Sequence, residues 1–406
     1  MVIKRVFIDT QSNELFRGFE GEQNYDQRAL CQAGRGDVLV ITNPIDPEYL
    51  AYWSGLGFDL PTIIHAGPFE PSQTLSDHVC DKKVVMDKIL EAIGDSDARL
   101  EFFWVSERER RLADFLQVPP YCNFDVSIGL ASKVSFKHLC EEIGLQTAPW
   151  IGVDSVEEIP YRWQGRFPSC DPVLIKASNG TGGKSLGTIC RLESFLDLQD
   201  RQSELGKLSA PLVVEKILDV SSEVSIHWEM TMGGEMIIHG IFDQLTNDFS
   251  YAGTAFPTVL SPELQVVIRE SLANVLMPYL QQAEASGFFC CDLLIDRSGV
   301  VHWTDFNPRK GAIVYIHDCM RRLTQIHFPG RDVYCWHEHS CLKAGSAFDD
   351  VRQCLGRSLA VSEETPFVVI TNPGIIAHGG LDITGVSLQS RGLAKEAVEL
   401  AKRKIA

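Results

Sequence analysis

Two aspartates are spaced so that a β-hairpin could present them side by side. Residues Phe289–Ile295 and Val300–Asn307 read as two strands around the turn-forming pair Ser298–Gly299. With that pair as the turn, counting outward along both strands sets Asp292 directly opposite Asp305 on one face. Like charges placed opposite each other destabilise a hairpin. The pairing therefore indicates a bound cation.

Further side chains continue this face. Asn307 lies two residues beyond Asp305, and an amide oxygen together with two carboxylates is a ligand set that suits Mg²⁺. Arg309 adds a fixed positive charge that could hold a transferring phosphoryl group. Two alternatives remain open: a surface hairpin with solvated aspartates, and a strand register shifted by one residue. Trp303 and Phe306 favour a mostly buried hairpin, in which unpaired carboxylates are costly.

A strand followed by closely spaced glycines is the second candidate element. The spacing K-x3-G-x-G-G-x3-G is formed by Lys176, Gly180, Gly182, Gly183 and Gly187. Glycines let backbone amides approach phosphate oxygens, and consecutive N–H groups form an anion-binding nest. A P-loop would need glycine at Ser178 and a Rossmann fingerprint would need glycine at Ser185, so neither pattern is present. A flexible hairpin turn remains the alternative interpretation.

Composition restricts the class of protein. The 406-residue chain carries a formal net charge of −17 and is 45% hydrophobic and 22% charged, as in ordinary globular proteins. The acidic balance argues against nucleic-acid or anionic-membrane partners. No apolar run approaches the ~20 residues of a membrane span, and the polar start lacks a signal-peptide core. Scattered cysteines are typical of reduced thiols, so we expect a cytoplasmic protein.

One cysteine- and histidine-rich segment has a metal-binding alternative. Cys335, His337, His339 and Cys341 alternate along a predicted strand and would share one face. Their one-residue spacings do not match the usual zinc arrangements. We therefore expect them to have structural roles.

The length predicts two or three domains. Up to about residue 130, short apolar runs such as Val38–Thr42 alternate with helical stretches such as Lys83–Ile93, which predicts an open α/β layer. A helix with one apolar face is predicted from Ser132 to Ile143, ended by Gly144. Longer strands follow from Glu223.

These elements, in this order, resemble the ATP-grasp superfamily from about Ser132 to Gly311. The resemblance implies a multidomain α/β and α+β fold. Its parts would be an N-terminal α/β (pre-ATP-grasp) domain at 1–130, a small lid subdomain at 131–214, and a C-terminal catalytic subdomain with an extension at 215–406. It also implies ATP bound between two α+β subdomains with one or two Mg²⁺ ions, for which Mn²⁺ can substitute.

The resemblance also implies roles for individual residues. Phosphate binding falls to Lys133, Lys176 and the lid-loop glycines Gly180, Gly182 and Gly183. The adenine hinge and the ribose-binding carboxylate correspond to Glu215, Lys216, Ile217 and Glu223. The metal ligands correspond to Asp292, Asp305 and Asn307, and the phosphate or acyl-phosphate clamp to Arg309. The middle metal ligand is often glutamate in this superfamily, so the shorter Asp305 is a departure that keeps the charge.

Within the superfamily, the chain looks most like amino-acid and peptide ligases of natural-product pathways, including the pheganomycin-type peptide ligases. The features are the long segment Phe242–Pro257, which contains Tyr251, and the extension after the Asn-Pro-Arg strand. This implies an ADP-forming ligase that joins a small-molecule carboxylate to an amine through an acyl phosphate, with Lys176 and Arg309 as catalytic groups. A homodimer is compatible with this interpretation.

Other functions remain open. One is an ATP-grasp enzyme with kinase-like or carboxylating chemistry, and another is a nucleotide-binding protein without catalysis. The complete set of expected metal ligands argues against the second. Acceptor selectivity is expected in the Tyr251 segment and after Gly311, where Tyr315, His317 and Asp318 lie.

Overall fold

A computed structural model describes residues 3–9, 22–70, 73–169, 171–178, 189–247 and 249–405. Contacts divide the chain into two compact units. Unit 1 consists of Met1–Phe124, Ala252–Thr258 and Arg309–Ala406, and unit 2 consists of Asp125–Tyr251 and Val259–Pro308. The domain boundaries expected near residues 130 and 214 remain predictions.

The strands are β1 Lys4–Ile8, β2 Val38–Ile41, β3 Thr62–His65, β4 Ala98–Phe102, β5 Trp150–Val153, β6 Val173–Ala177, β7 Ile189–Leu192, β8 Leu212–Lys216, β9 Val220–Met230, β10 Met236–Asn247, β11 Ser250–Phe256, β12 Gly287–Asp296, β13 Val301–Asn307, β14 Tyr334–Cys341, β15 Phe367–Ile370 and β16 Gly380–Ser387. The α-helices are α1 Pro47–Gly55, α2 Leu75–Asp81, α3 Lys83–Ile93, α4 Glu107–Leu116, α5 Phe124–Gly129, α6 Lys133–Ile143, α7 Ile159–Trp163, α8 Asp197–Asp200, α9 Gln202–Leu205, α10 Pro262–Ser271, α11 Met277–Gln282, α12 Ala312–His327, α13 Phe348–Leu355 and α14 Arg391–Ile405. Short 3₁₀ segments lie at Glu22–Cys31, Val156–Glu158, Gly356–Leu359 and Pro373–His378, and a π turn at Leu272–Leu276 joins α10 to α11.

Unit 1 contains a parallel sheet in the order β3-β2-β1-β4. All four residues of β2 are buried, as expected for an inner strand of a parallel sheet covered on both faces. The predicted strand at Val38–Thr42 and the predicted helix at Lys83–Ile93 are both present. The α/β interpretation of the N-terminal region is therefore confirmed.

The C-terminal strands of unit 1 pair antiparallel, with β14 and β15 on either side of β16. Strand β14 contains the cysteine- and histidine-rich segment. Cys335 is buried in the apolar core, and Nδ1 of His337 and of His339 lies 3.0 Å from Thr384 Oγ1 and Asp382 Oδ1 respectively. These contacts agree with the structural roles expected for this segment.

Unit 2 contains two antiparallel arrangements, each with its own apolar core. One is the sheet β5-β8-β6-β7, and in the other β13, β12, β9 and β10 pair in that order. Apolar residues of β9 alternate with polar ones, which leaves one face of this second arrangement polar. Within the described part of the chain, no helix is long and apolar enough to span a bilayer.

Helix α6 connects the two arrangements of unit 2. Its start is capped by Ser132, whose Oγ accepts from Ser135 N at 3.3 Å, and Gly144 ends it with a φ of 81°. Phe136 stacks on Phe306 of β13 with ring centroids 5.2 Å apart. The predicted helix and its glycine stop are confirmed, and the helix is fixed against the strand that carries Asp305.

Candidate nucleotide and metal site

The predicted pairing of the two aspartates is correct, although the predicted turn is not. Strands β12 and β13 place Asp292 opposite Asp305. The turn holds three residues rather than two, because Asp296 N donates to Val300 O at 3.1 Å and closes the loop one residue earlier than predicted. A bulge at Thr304 shifts the register by one residue. The longer turn and the bulge cancel, which restores the predicted pairing.

The side chains of this hairpin form an oxygen-rich group. Asn307 Nδ2 donates to Asp292 Oδ2 at 3.3 Å, and Gln244 Nε2 of β10 donates to Asp292 Oδ1 at 2.6 Å. Among the described residues, Asp305 Oδ1 is buried and has no hydrogen-bond partner. Carboxylate and amide oxygens are the ligands that Mg²⁺ prefers, and a buried carboxylate oxygen without a donor is where a cation would be favourable. The residues therefore fit the expected metal.

Three lysines and two carboxylates form a chain of alternating charge beside this hairpin. Lys133 Nζ lies 3.4 Å from Asp305 Oδ2, and Lys176 Nζ lies 3.7 Å from Asp305 Oδ1. On its other side, Lys176 Nζ lies 2.9 Å from Glu215 Oε2. Glu215 Oε1 accepts from Lys137 Nζ at 2.5 Å. Every member of this chain lies in unit 2.

The charges in this chain reinforce one another. Burial alone lowers the pKa of Lys176, but Asp305 and Glu215 outweigh burial and raise it above its ordinary value. Burial likewise opposes ionisation of the two carboxylates, but the lysines lower the pKa of both: Lys137 and Lys176 for Glu215, Lys133 and Lys176 for Asp305. Lys176, Glu215 and Asp305 therefore stay charged at neutral pH.

Backbone contacts bring the two predicted phosphate-binding lysines together. Lys133 begins α6, and its N–H donates to Ser178 O at 3.0 Å. Ser178 follows β6, the strand that carries Lys176. Ser132 Oγ and Ser178 Oγ also lie 2.8 Å apart. The start of the helix is thus attached to the end of the strand, although the two lysines are far apart in sequence.

A cavity of about 190 Å³ in unit 2 combines this charged group with an apolar part. Its charged lining residues are Lys133, Lys176, Asp292, Asp305, Glu215 and Glu223. Its apolar lining includes Leu174, Ile189, Ile217 and Leu218, with Phe249 and Tyr251 of the predicted acceptor segment. A lining that combines charged groups with apolar side chains suits a ligand that has an anionic part and a flat ring.

The predicted adenine hinge lines this cavity, with one change of detail. The N–H of Ile217 donates to Pro172 O at 2.9 Å, so Ile217 offers the cavity its side chain rather than its amide. Lys216 Nζ pairs with Asp171 at 2.7 Å. Leu218, which the sequence interpretation did not include, also lines the cavity.

Some predicted site residues are not brought into this group. Gly180, Gly182 and Gly183 lie outside the described residues. Arg309 belongs to unit 1, where its guanidinium lies 4.9 Å from the ring centroid of Phe103 and its Nη1 donates to Lys310 O at 2.8 Å. The roles expected for the glycines and for Arg309 therefore remain predictions.

Sequence reasoning missed Lys137 and Gln244. Lys137 lies four residues after Lys133 on the same helix, and this spacing places both side chains on one face. The spacing is visible in the sequence, but Lys137 lies among apolar residues of the helix, a pattern that indicates packing rather than a site. Gln244 gave no local signal, because its contact with Asp292 depends on how β10, β9 and β12 pair.

Comparison with known proteins supports one fold. Residues 26–118 match the family model for the Pre ATP-grasp domain. No curated protein sequence gives a significant match to the chain.

Solved structures match along nearly the whole chain. N5-carboxyaminoimidazole synthetase from Staphylococcus aureus complexed with ADP has a TM-score of 0.63 at 12% identity, over 99% of this chain and 98% of that one. The synthase from Aspergillus clavatus in complex with ADP and 5-aminoimidazole ribonucleotide has a TM-score of 0.62 at 11% identity, over 99% of each. Biotin carboxylase from Campylobacter jejuni in a β-γ-ATP complex has a TM-score of 0.63 at 13% identity, over 100% of this chain and 92% of that one.

These matches establish the class of fold. The chain has the multidomain α/β and α+β architecture of the ATP-grasp fold, including a pre-ATP-grasp region, as the sequence resemblance implied. At this low identity the likeness shows the fold alone.

Proposed function

We propose that the protein is an ATP-dependent, ADP-forming enzyme that activates a carboxylate as an acyl phosphate and passes the acyl group to an amine. The observation that carries this proposal is the unit 2 cavity, in which Lys133 and Lys176 lie beside Asp305 of the β12–β13 hairpin and apolar side chains complete the lining. Phosphates would lie against the two lysines and adenine against Ile217 and Leu218, with Glu223 at the ribose.

Asp292, Asp305 and Asn307 would hold the metal. Bound Mg²⁺ would neutralise charge on the phosphates. Gln244 would keep Asp292 oriented, because a residue that hydrogen-bonds a metal ligand fixes its direction.

The protein's own residues act mainly by positioning and charge. Lys133 and Lys176 hold the terminal phosphates while a carboxylate oxygen of the substrate attacks the γ-phosphorus and ADP leaves. The amine nitrogen then attacks the acyl carbon, phosphate leaves, and the nitrogen loses its proton. Arg309 is proposed to stabilise the acyl phosphate, and the segment with Gly180, Gly182 and Gly183 to cover the phosphates. No side-chain nucleophile is needed.

An amino acid or another small natural-product precursor is the acid that the sequence resemblance favours, and the product would be an amide or peptide bond. A second candidate is carboxylation, in which bicarbonate takes the place of the acid. The names of the matched structures, N5-carboxyaminoimidazole synthetase and biotin carboxylase, favour this second candidate. Both candidates share the step in which an acid oxygen attacks the γ-phosphorus.

Hydroxylamine trapping tests the proposal and separates its two forms. Purified protein is incubated with Mg-ATP, hydroxylamine and a panel of amino acids, or with bicarbonate alone. Hydroxamate and ADP that depend on an amino acid support amide formation, whereas ADP release that depends on bicarbonate supports carboxylation. Failure to bind Mg-ATP, or phosphate transfer to an acceptor other than a carboxylate or bicarbonate, would overturn the proposal.

A further inference from the structure

Lys137 is a buried lysine beside the candidate nucleotide cavity, although it does not line it. Only 1% of its side chain is exposed, and its neighbours on the apolar face of α6 include Phe136 and Cys140. Burying a lysine costs several kcal/mol unless its charge is balanced and its donors are used. An apolar side chain would pack on this face without that cost, so the charge itself requires an explanation.

The contacts of Lys137 lead to the two groups that define the site. Its Nζ donates to Glu215 Oε1 and to Trp303 O, the latter at 3.3 Å. Trp303 lies two residues before the metal-ligand candidate Asp305. The second oxygen of Glu215 holds Lys176 Nζ at 2.9 Å. Lys137 is therefore linked to Lys176 through a single carboxylate.

A carboxylate that fixes a phosphate-binding lysine creates a conflict. Glu215 orients the Lys176 ammonium, but a pair of Glu215 and Lys176 alone would be neutral as seen from a phosphate. An anion would then compete with Glu215 for the same ammonium group. A second cation on Glu215 removes this conflict, because the carboxylate is then balanced without Lys176.

We propose that Lys137 is a positioning residue of the nucleotide site, which neutralises Glu215 so that Glu215 can orient Lys176 without cancelling its charge toward a phosphate. The inference rests on the proposed function, since it takes the ligand of Lys176 to be a nucleotide phosphate. Lys137 touches neither substrate nor metal and acts through Glu215.

The test measures binding of Mg-ADP by isothermal titration calorimetry in four proteins. They are the unchanged protein, Lys137→Met, the double variant Lys137→Met/Glu215→Gln, and Lys402→Met as the control. Methionine keeps most of the lysine volume, and glutamine can still accept from Lys176 without carrying charge. Lys402 donates to Glu338 in unit 1 at 2.7 Å, so its variant also loses a lysine–glutamate pair.

We expect Lys137→Met to weaken Mg-ADP binding at least about tenfold, because the negative charge of Glu215 then offsets the positive charge that Lys176 presents to the phosphates. The double variant removes the cation and the carboxylate together, so it should bind Mg-ADP at least about threefold more tightly than Lys137→Met. Lys402→Met should bind Mg-ADP as the unchanged protein does. A purely structural Lys137 predicts a lower melting temperature with unchanged affinity in the folded fraction.

Two results would overturn the inference: unchanged affinity in folded Lys137→Met, or a double variant that binds as weakly as the single one. If Lys137→Met does not fold, Lys137→Gln takes its place in both comparisons, since glutamine keeps a donor to Glu215 but carries no charge. Absence of Mg-ADP binding in the unchanged protein would instead overturn the proposed function.

Discussion

Each unit of this protein buries a lysine between two carboxylates, but the surroundings of the two lysines differ. In unit 1, Lys310 Nζ lies 3.3 Å from both Asp9 Oδ2 and Glu101 Oε2, and all three side chains are at most 2% exposed. In unit 2, Lys176 lies between Glu215 and Asp305 and lines a cavity. The first group is buried on all three side chains. The second keeps a charged face open to a ligand.

The pKa values of two buried aspartates, Asp26 of unit 1 and Asp305 of unit 2, also differ between the two units. Asp26 of unit 1 is fully buried, and its Oδ2 accepts only neutral donors from Thr42, at 2.6 Å from N and 2.7 Å from Oγ1. Burial raises the pKa of Asp26 to about 7. Burial acts in the same direction on Asp305, yet Lys133 and Lys176 reverse it and lower that pKa. Burial alone makes an aspartate easier to protonate, and at Asp305 the paired lysines keep the carboxylate ionised.

The largest expected effect is on the buried group of unit 1. Lys310→Met leaves Asp9 and Glu101 buried without their shared cation, which should destabilise unit 1 by about 3–5 kcal/mol. Calorimetric melting measures this loss. Lys395→Met, which breaks an exposed pair with Glu399, is the control and should cost less than about 1 kcal/mol. Equal melting temperatures for the two variants would show that the Lys310 group does not stabilise the fold.

Lys176 should behave in the opposite way. In Lys176→Met, Glu215 keeps Lys137 as its partner, so the fold should tolerate the change better than it tolerates Lys310→Met. Loss of a charge aimed at the transferring phosphoryl group should lower kcat about 10²–10³-fold. The measurement is ADP release with the acid and amine found by hydroxylamine trapping. The exposed Lys207 supplies a control variant, Lys207→Met, with unchanged turnover; equal turnover in both variants would remove Lys176 from the mechanism.

The sequence predicted the parts of the site that follow from local patterns. Strand alternation was enough to place Asp292 opposite Asp305, although the turn was one residue longer and the bulge at Thr304 compensated for it. Helical periodicity correctly located α6. The link from Lys137 to Glu215 joins residues 78 positions apart. Local patterns contain no information about such a distance, so this contact needed the three-dimensional structure.

An intermediate effect is expected for pH-dependent stability at Asp26. Its folded pKa of about 7 lies above the unfolded value of about 3.9. The stability that this difference contributes is therefore complete below the unfolded pKa and is lost as pH rises from about 4 to about 7, by about 1.4 kcal/mol per pH unit within that window, with no further loss above it. Asp26→Asn should remove this part of the pH dependence. Urea unfolding between about pH 4 and 8 measures it.

The exposed Asp59 provides the matched control for that experiment, because it pairs with Arg35 at the surface of the same unit. Asp59→Asn should keep the decline between about pH 4 and 7 that the unchanged protein shows. A decline of the same slope in Asp26→Asn would mean that Asp26 stays ionised in the folded state.

The smallest expected effect tests whether Asp292 and Asp305 of unit 2 bind a metal ion. Gln244 donates to Asp292 Oδ1 at 2.6 Å. Loss of a residue that orients a metal ligand lowers the affinity for the metal by about tenfold or more. Gln244→Leu should therefore raise the Mg²⁺ concentration that half-saturates ADP release by about tenfold, with kcat at saturating Mg²⁺ nearly unchanged.

Gln244→Glu keeps the shape of the side chain but places a third carboxylate beside Asp292 and Asp305. This carboxylate strengthens the attraction for the ion and increases the repulsion among the carboxylates when the ion is absent. It should need less Mg²⁺ than Gln244→Leu, and its melting temperature should rise more on adding Mg²⁺. If both variants show the Mg²⁺ requirement of the unchanged protein, Asp292 does not hold the ion, and the carboxylates of the hairpin would then serve only to balance the lysines.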